Sequence, residues 1–484
     1  MKHCITVLPA QRNIEAQDGA CLMDVLREAG FAPDAPCGGC GRCGKCRVLT
    51  DGGAVLACRT AVDRDMVVTI SVSAEEPVLK AGGDANAEVL PGGEGYLLAL
   101  DVGTTTVVGY LLTGDTGREV ACASARNPQA AFGGDVISRI RHALKGQLEA
   151  LGASVRGCAE GLTRTLCGSC GISPEEIRTV SLVGNPAMQQ LFLGIAPENL
   201  ARIPFAPVLT EAKTVQGREY VALWENAQLQ IVPDISGFVG ADTVACILAS
   251  GMDRREELSL LVDIGTNGEM VMGSRERLVA CSAAAGPALE GANIRFGMRA
   301  AAGAIDHVRW ENRRLRCSVI GDGEPVGICG SGLIDAVAAA LEGGMLSRRG
   351  KILRQEGVIP LTDRVWLTQE DIRQVQLAKG AIAAGIELMA ARLGVERKDI
   401  AQVYLAGAFG TCMEPVSACR IGLLPPELAG RIVQLGNGAG SGAKMLARDR
   451  GLLLRAGNLA GAVESMELGA QPAFSRSFAR NMRF

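Results

Sequence analysis

Four cysteines recur at every third position in "APCGGCGRCGKCRVLT": Cys37, Cys40, Cys43 and Cys46. Cys58 follows in "AVLACRT". Thiols this dense in a long chain read as metal ligands in a reducing cytoplasm, since disulfide scaffolds are short and secreted. Three metals compete. The bacterial [4Fe–4S] run is C-x2-C-x2-C-x3-C-P; here the last gap is two and Arg47, not Pro, follows Cys46. Zinc takes C-x2-C pairs, normally with a long loop between them. Plant-type [2Fe–2S] clusters use C-x4-C-x2-C and a distant fourth cysteine. Cys37, Cys43, Cys46 and Cys58 give C-x5-C-x2-C-x11-C, the same plan with one residue more in the first gap. The expected ligands of a [2Fe–2S] cluster are therefore Cys37, Cys43, Cys46 and Cys58, with Cys40 a non-ligand thiol nearby. Glycines between the cysteines let the loop wrap closely. The stretch "GCGRCGKC" also fits the start of a P-loop, but Cys46 stands where Ser or Thr is required and no strand-to-helix junction surrounds it.

A second chemistry sits further on. "YLLALDVGTTTVVGYLL" contains Asp101, Gly103, Thr104, Thr105 and Thr106; "SLLVDIGTNGEMVMG" contains Asp263, Gly265, Thr266 and Asn267. Each is an apolar strand running into D-x-G-T and then into another apolar strand. A phosphate chain needs backbone N–H and hydroxyl donors. It also needs Mg²⁺, held through one or two carboxylates and water. Asp101 and Asp263 fit the second role, and the glycines and threonines the first. One D-x-G turn is a common hairpin. Two at matched positions form an internal repeat, which implies two similar lobes with the nucleotide between them.

These residues need elements to hold them. In residues 1–79, "HCITVLPAQ" and "RNIEAQDGA" predict two strands, "CLMDVLREAG" a helix ending at Gly30, and "MVVTISV" a further strand. A helix on a small mixed sheet beside a cysteine loop suits a β-grasp, ferredoxin-like unit. Residues 80–95, "KAGGDANAEVLPGGEG", are Gly-rich and polar and read as a linker. From residue 96 short apolar runs alternate with Ala-rich helical patterns, the signature of α/β architecture. The expected fold class is thus α/β: a small ferredoxin-like domain, then a two-lobed domain over 96–484, with lobes of roughly 96–245 and 246–470. Strand-to-glycine junctions recur in "VSLVGNPAM", "VYLAGAFG" and "IVQLGNGAGSGAKMLA", and "GICGSGLIDAVAAAL" opens a helix at about Leu333.

Composition narrows the classes. A net charge of −3 gives no footprint for nucleic acid. No apolar run reaches the roughly 18 residues of a membrane span, and the N-terminal stretch is not that of a signal peptide. Only His3, His142 and His307 are present, which leaves little room for histidine metal sites or triads. "CGSC", Cys167 to Cys170, follows a helical pattern and reads as helix-end packing rather than a dithiol. Cys329 reads as a small buried residue near the nucleotide.

The paired loops, "VYLAGAFG" and "PDISGFVGADTVACILASG" resemble the acetate kinase/sugar kinase/Hsp70/actin ATPase superfamily. More narrowly, "NPQAAFGGDVISRI", "VGNPAMQQLFLGIAP", "AAAGPALEGANIRFGMRAAAGAID" and "GICGSGLID" resemble the reductive activators of corrinoid enzymes, a family that joins an N-terminal [2Fe–2S] domain to such an ATPase domain. The resemblance spans nearly the whole chain and implies that residues 96–484 form a two-lobed RNase H-like (actin/Hsp70-type) ATPase domain. It implies ATP and Mg²⁺ as cofactors beside the cluster. It also implies nucleotide contacts from Gly330, Ser331 and Gly332 and from Gly407 and Gly410, the last two on the adenosine side. Two departures stand out. Longer members carry a middle domain between linker and ATPase, where residues 80–95 alone separate the blocks here. Members often have "GNTTM" where this chain has "GNPAM" at Gly184–Met188, so no phosphate role is expected of that loop.

What the resemblance implies is ATP-dependent reduction of a Co(II) corrinoid on a partner protein to Co(I), with an upstream donor such as a flavodoxin, a ferredoxin or a reductase. A plant-type cluster lies near −400 mV, and each 59 mV of deficit is a factor of ten for one electron; ATP coupling can offset several such steps. The corrinoid lower-ligand pattern D-x-H-x-x-G is absent from the chain, which favours an activator over a methyl carrier. A homodimer through the ATPase lobes is compatible with this plan. Rival readings are a small-molecule kinase with Asp234 or Asp242 as its carboxylate, an ATP-driven electron injector for acyl-CoA dehydratases, and a nucleotide-gated redox sensor.

Overall fold

The computed structural model describes residues 2–8, 12–29, 31, 33, 46–70, 94–321, 323–407 and 412–484. Cys37, Cys40, Cys43, Gly410 and the expected linker, apart from its last two residues, lie outside them.

The first unit contains β1 (Lys2–Leu8), β2 (Arg12–Gln17), α1 (Leu22–Glu28), β3 (Arg47–Thr50), β4 (Gly53–Leu56) and β5 (Met66–Thr69). The sheet order is β2-β1-β5-β3-β4. β1 pairs antiparallel with β2 and parallel with β5, giving the mixed sheet expected. Ile5, Val7, Val48, Val68 and the α1 residues Leu22, Met23 and Leu26 close its core. The β3–β4 hairpin was not anticipated. It turns at Asp51-Gly52, a dipeptide suited to a two-residue hairpin loop, and pairs Arg47 with Leu56.

The first lobe runs β6 (Tyr96–Val102), β7 (Thr106–Thr113), β8 (Glu119–Arg126), α2 (Val136–His142), α3 (Leu148–Cys170), β9 (Ile177–Gly184), α4 (Pro186–Leu193), β10 (Lys213–Gln216), β11 (Gln228–Ile231) and α5 (Ala241–Ser250). Its sheet order is β10-β11-β9-β6-β7-β8. The second lobe begins with the meander β12 (Ser259–Ile264), β13 (Gly268–Ser274) and β14 (Arg277–Ala283). β15 (Ala304–Glu311), β16 (Arg314–Val319) and β17 (Gly327–Ile328) form a small sheet beside α6 (Gly330–Glu342). The hairpin of β18 (Val358–Pro360) and β19 (Trp366–Thr368) leads into α7 (Gln369–Leu393). Then follow β20 (Gln402–Ala406), α8 (Pro415–Arg420), β21 (Ile432–Gly436), α9 (Gly438–Arg448), α10 (Arg450–Ala462), β22 (Glu464–Ser465) and α11 (Phe474–Asn481). The main sheet order is β21-β20-β12-β13-β14-β22.

The two main sheets repeat one plan: an antiparallel meander whose first strand also takes parallel partners, β9 and then β11 in one lobe, β20 and then β21 in the other. Strands covered on both faces read as unbroken apolar runs, as β6 and β12 do. Side chains alternate faces with period two. Leu97 and Ala99 of β6 and Leu261 of β12 enter one core, which α5 and α9 share between the sheets. Leu98, Leu100 and Val102 face the first lobe's outer core, and Leu260, Val262 and Ile264 the second's. The same parity turns Asp101 and Asp263 toward the layer between lobes.

The helices α5 and α9 meet there at backbone contact. A Cβ at Gly442 would stand 2.1 Å from the Ala245 carbonyl oxygen and 2.6 Å from its Cα. Gly438 and Gly442 of "GNGAGSG" thus serve helix packing, Gly438 against Cys246 and Gly442 against Ala245.

The ferredoxin-like unit touches the first lobe through Arg27. Its Nε donates to the Ala131 carbonyl at 2.5 Å, and its guanidinium lies 5.8 Å from the Phe132 ring centroid. At the far end of α3, Cys167 is buried, which pushes its thiol up to about 11, and the Cys170 thiol points at the Val120 carbonyl. That is helix-end packing.

Candidate functional site

The β3–β4 hairpin explains how two expected cluster ligands meet. Cys46 precedes β3 and Cys58 lies in the turn after β4; Ala57 N donates to the Cys46 carbonyl at 2.9 Å, extending the ladder by one rung. The Cys46 and Cys58 sulfurs come to 3.1 Å with no disulfide between them. Two sulfurs at that distance on one hairpin fit a shared metal centre better than any packing need.

Both D-x-G-T loops turn tightly at their glycine. Gly103 N donates to the Thr106 carbonyl at 3.0 Å, and Gly265 N to the Asn267 carbonyl at 2.9 Å. Their hydroxyls meet across the lobes on one carboxylate: Thr105 Oγ1 donates to Glu290 Oε2 at 3.1 Å, and Thr266 Oγ1 lies 3.2 Å from both Glu290 oxygens. Thr104 Oγ1 accepts from Asn185 Nδ2 at 3.1 Å, so the "GNPAM" turn supports the loop through its asparagine. Asn127 Nδ2 holds the Gly103 carbonyl at 2.8 Å, and Asn127 N the Thr105 carbonyl at 2.9 Å. Behind the loop Arg139 is buried; it donates to the carbonyls of Thr104 (2.6 Å) and Gly133 (3.0 Å) and to Gln129 (3.3 Å). Burial lowers its pKa to about 9. It is still a cation at neutral pH, and its donors are taken up by the protein groups that brace the loop.

Asp101 and Asp263 stand where the parity of their strands requires. Asn437 Nδ2 donates to Asp101 Oδ2 at 2.8 Å, while Asn437 Oδ1 caps α9 through Gly440 N at 2.8 Å. The Cys246 thiol donates to Asp263 Oδ2 at 3.4 Å. Gly407, at φ +88°, closes the other side: a Cβ there would stand 2.4 Å from Asp263 Oδ1. Asp242 opens α5, and Glu269 pairs in register with Asp263. Gly330, Ser331 and Gly332 head α6, where Ser331 Oγ donates to the Asp306 carbonyl at 2.9 Å; this is a contact within the second lobe.

Burial raises the pKa of every carboxyl in this group. Asp101 and Asp242 rise to about 7, both pushed further by the charge of Asp263; Asp263 itself rises to about 6, with the Cys246 bond opposing. Glu269 rises well above the ordinary range, from burial and then from Asp242 and Asp263, and so does Asp234, whose two carboxyl oxygens have no partner. Such crowding of buried acids asks for a cation. Among the described residues no three His, Cys, Asp or Glu side chains close a metal cage.

A pH dependence follows. These acids hold protons in the folded state between about pH 4 and 7 that the unfolded chain has released, so their contribution to stability falls as pH rises through that window. With EDTA, the melting temperature of the wild type is expected to fall by about a degree or more further between pH 5 and pH 7 than that of Asp263→Asn. Mg-ATP, which needs the acids ionised, is expected to flatten the wild-type slope. Equal slopes in wild type and variant would refute the assignment.

Sequence reasoning missed Glu290, Asn437, Asn185, Asn127 and Arg139. All five lay in stretches already singled out, but nothing local marks which polar side chain will reach a loop far away in the chain.

Comparison with known proteins matches three family profiles along the chain. They are a 2Fe-2S iron-sulfur cluster binding domain over residues 5–69, the RACo middle region over 96–255, and the C-terminal domain of RACo, the ASKHA domain, over 257–484. The middle region therefore corresponds to the first lobe described above. The corrinoid activation enzyme RamQ of Eubacterium limosum is 33% identical over 420 residues, covering 80% of this chain and 70% of that one. The [Co(II) methylated amine-specific corrinoid protein] reductase of Methanosarcina barkeri is 31% identical over 301 residues, 55% of each chain. Among solved structures, a reductive activator for a corrinoid, iron-sulfur protein superposes with a TM-score of 0.75 at 26% identity, over 100% of this chain and 98% of that one. Among the described residues no helix is long and apolar enough to cross a membrane.

Proposed function

Since the chain belongs to the family of reductive activators of corrinoid proteins, we propose that it returns a partner's corrinoid cobalt from Co(II) to Co(I), one electron at a time, with ATP hydrolysis. The observation that carries this reading is the union of two devices in one chain. Cys46 and Cys58 bring two sulfurs together on a hairpin. Thr105 and Thr266 bring donors from both lobes to one point. A small-molecule kinase has no use for the first.

The [2Fe–2S] cluster, held by Cys37, Cys43, Cys46 and Cys58, supplies one-electron transfer when bound. The chain's own residues do the rest. Gly103, Thr104, Thr105 and Thr106 from one lobe and Gly265, Thr266 and Asn267 from the other offer donors to the β- and γ-phosphates. Asp101 and Asp263 hold the waters of Mg²⁺, and Gly407 and Gly410 approach the adenosine side. Arg139 lends charge from behind. Because the phosphate oxygens draw on both lobes at once, their hydrolysis and release change lobe closure, and that motion is what acts on the partner complex. A flavodoxin, ferredoxin or reductase reloads the cluster, and a pair of chains docked through the ATPase lobes is the assembly we favour.

The test is made without oxygen. Pre-reduced protein is mixed with a Co(II) corrinoid protein, with and without Mg-ATP, and the Co(I) absorption band is followed. Many turnovers of Co(I), only with ATP, are expected from the wild type. Asp263→Asn is expected to slow ATP-dependent Co(I) formation about 100-fold or more while leaving the cluster spectrum intact. ATP-independent Co(I) formation at the full rate would reject the proposal.

A further inference from the structure

Glu290 is held by hydroxyls from both phosphate-binding loops, and neither the sequence motifs nor the family comparison gives it a task. Its carboxylate sits between Thr105 and Thr266, at 3.1 and 3.2 Å. Those hydroxyls are the donors that the proposed function offers to phosphate oxygens. Glu290 thus occupies the point on which both loops aim. Gly265 lies against it as well: a Cβ there would be 3.7 Å from Glu290 Oε1. Its own position is rigid. It ends a short turn, Pro287–Glu290, capped by Gly291 at φ +78°, and Ala288 and Leu289 of that turn are buried in the second lobe's core.

We propose, resting on the ATPase reading above, that Glu290 is the general base of ATP hydrolysis. A hydroxyl has one proton to donate. When the γ-phosphate takes the Thr105 and Thr266 hydroxyls, Glu290 loses the donors it has in the free protein. A buried carboxylate left without donors is costly, and a water between it and the γ-phosphorus restores one. That water is then hydrogen-bonded to a base on one side and faces the γ-phosphorus on the other.

In the step itself the water oxygen forms a bond to the γ-phosphorus. The bond from that phosphorus to the β,γ-bridging oxygen breaks, and ADP leaves with the electron pair. The water proton passes to Glu290, which returns it to solvent after phosphate departs. Burial raises the pKa of this carboxyl above its usual value, which brings a base closer to working pH. Glu290 belongs to the second lobe and Thr105 to the first, so a γ-phosphate bound beside both draws on the two lobes at once.

The experiment measures phosphate release from Mg-ATP and ATP affinity, first without any corrinoid partner. Glu290→Gln keeps the size and both hydroxyl contacts but cannot take a proton. The expected result is hydrolysis slowed 100-fold or more, with the ATP dissociation constant within about threefold of wild type. Glu290→Asp keeps a carboxylate but withdraws it by one methylene; the expected loss is at least tenfold. The second variant decides the matter should the first fail to fold or bind. Hydrolysis by either variant at the wild-type rate overturns the proposal and leaves the functional reading standing. A wild type that hydrolyses no ATP, with or without a corrinoid partner, ends both.

Discussion

Cys58→Ser protein is expected to hydrolyse ATP at the wild-type rate and to form no Co(I). Cys58 stands on the turn that closes the β3–β4 hairpin, its sulfur 3.1 Å from that of Cys46. Iron in such clusters is held by thiolates, and a serine oxygen is both shorter and harder. The hairpin backbone, paired from Arg47 with Leu56 to Thr50 with Gly53, does not depend on the sulfur, so the unit should still fold. The two functions should separate cleanly: loss of the visible cluster absorption and of its reduced-state resonance, Co(I) formation down at least 100-fold, phosphate release unchanged. An unaltered cluster spectrum in Cys58→Ser would move the fourth ligand elsewhere, with Cys40 the first residue to test.

Gly442→Ala is expected to be the most damaging small substitution in the ATPase part. Its Cβ would meet the carbonyl oxygen of Ala245 at 2.1 Å, with the carbonyl carbon and Cα of the same residue at 2.5 and 2.6 Å. Backbone atoms inside a helix cannot swing aside as a side chain can, so α5 and α9 must separate along their whole contact. Overpacking costs about 3 kcal/mol when it forces such a shift. The contact lies in the core that both sheets share, so the loss reaches both lobes at once. Gly461→Ala is the control, because its Cβ meets nothing within 4 Å; a helical glycine replaced there is neutral or gains up to about 1 kcal/mol. Thermal unfolding of both variants, read beside nucleotide affinity, distinguishes them. Equal melting points would mean the helices are not packed at backbone distance.

The contrast shows what a single sequence reveals. The D-x-G-T pair was legible because each copy carries its strand, its turn and its carboxylate within a few residues, and strand parity then settles which way Asp101 and Asp263 point. The cysteine spacing was legible for the same local reason. The hairpin between Cys46 and Cys58 was not seen, although Asp51-Gly52 marks it, because its strands are only four residues each. Gly438 and Gly442 were read only as part of a strand-to-glycine junction, because a glycine run looks alike whether it admits a phosphate or a neighbouring helix. Asn437, Glu290 and Arg139 act at a distance of tens to hundreds of residues, and no periodicity encodes their partners.

The segment 127–133 has one more consequence. On one side Asn127 fixes Gly103 and Thr105; on the other, Ala131 and Phe132 receive Arg27 of the ferredoxin-like unit. That contact amounts to a hydrogen bond and a cation–π pair, each about 1 kcal/mol. Against this, Arg27 Nη2 is buried with no partner. A net preference of one to two kcal/mol is a population ratio of only about 5 to 30. The electron-carrying unit therefore has a resting berth that it leaves unaided many times over, and that berth is made of the same seven residues that brace the phosphate loop.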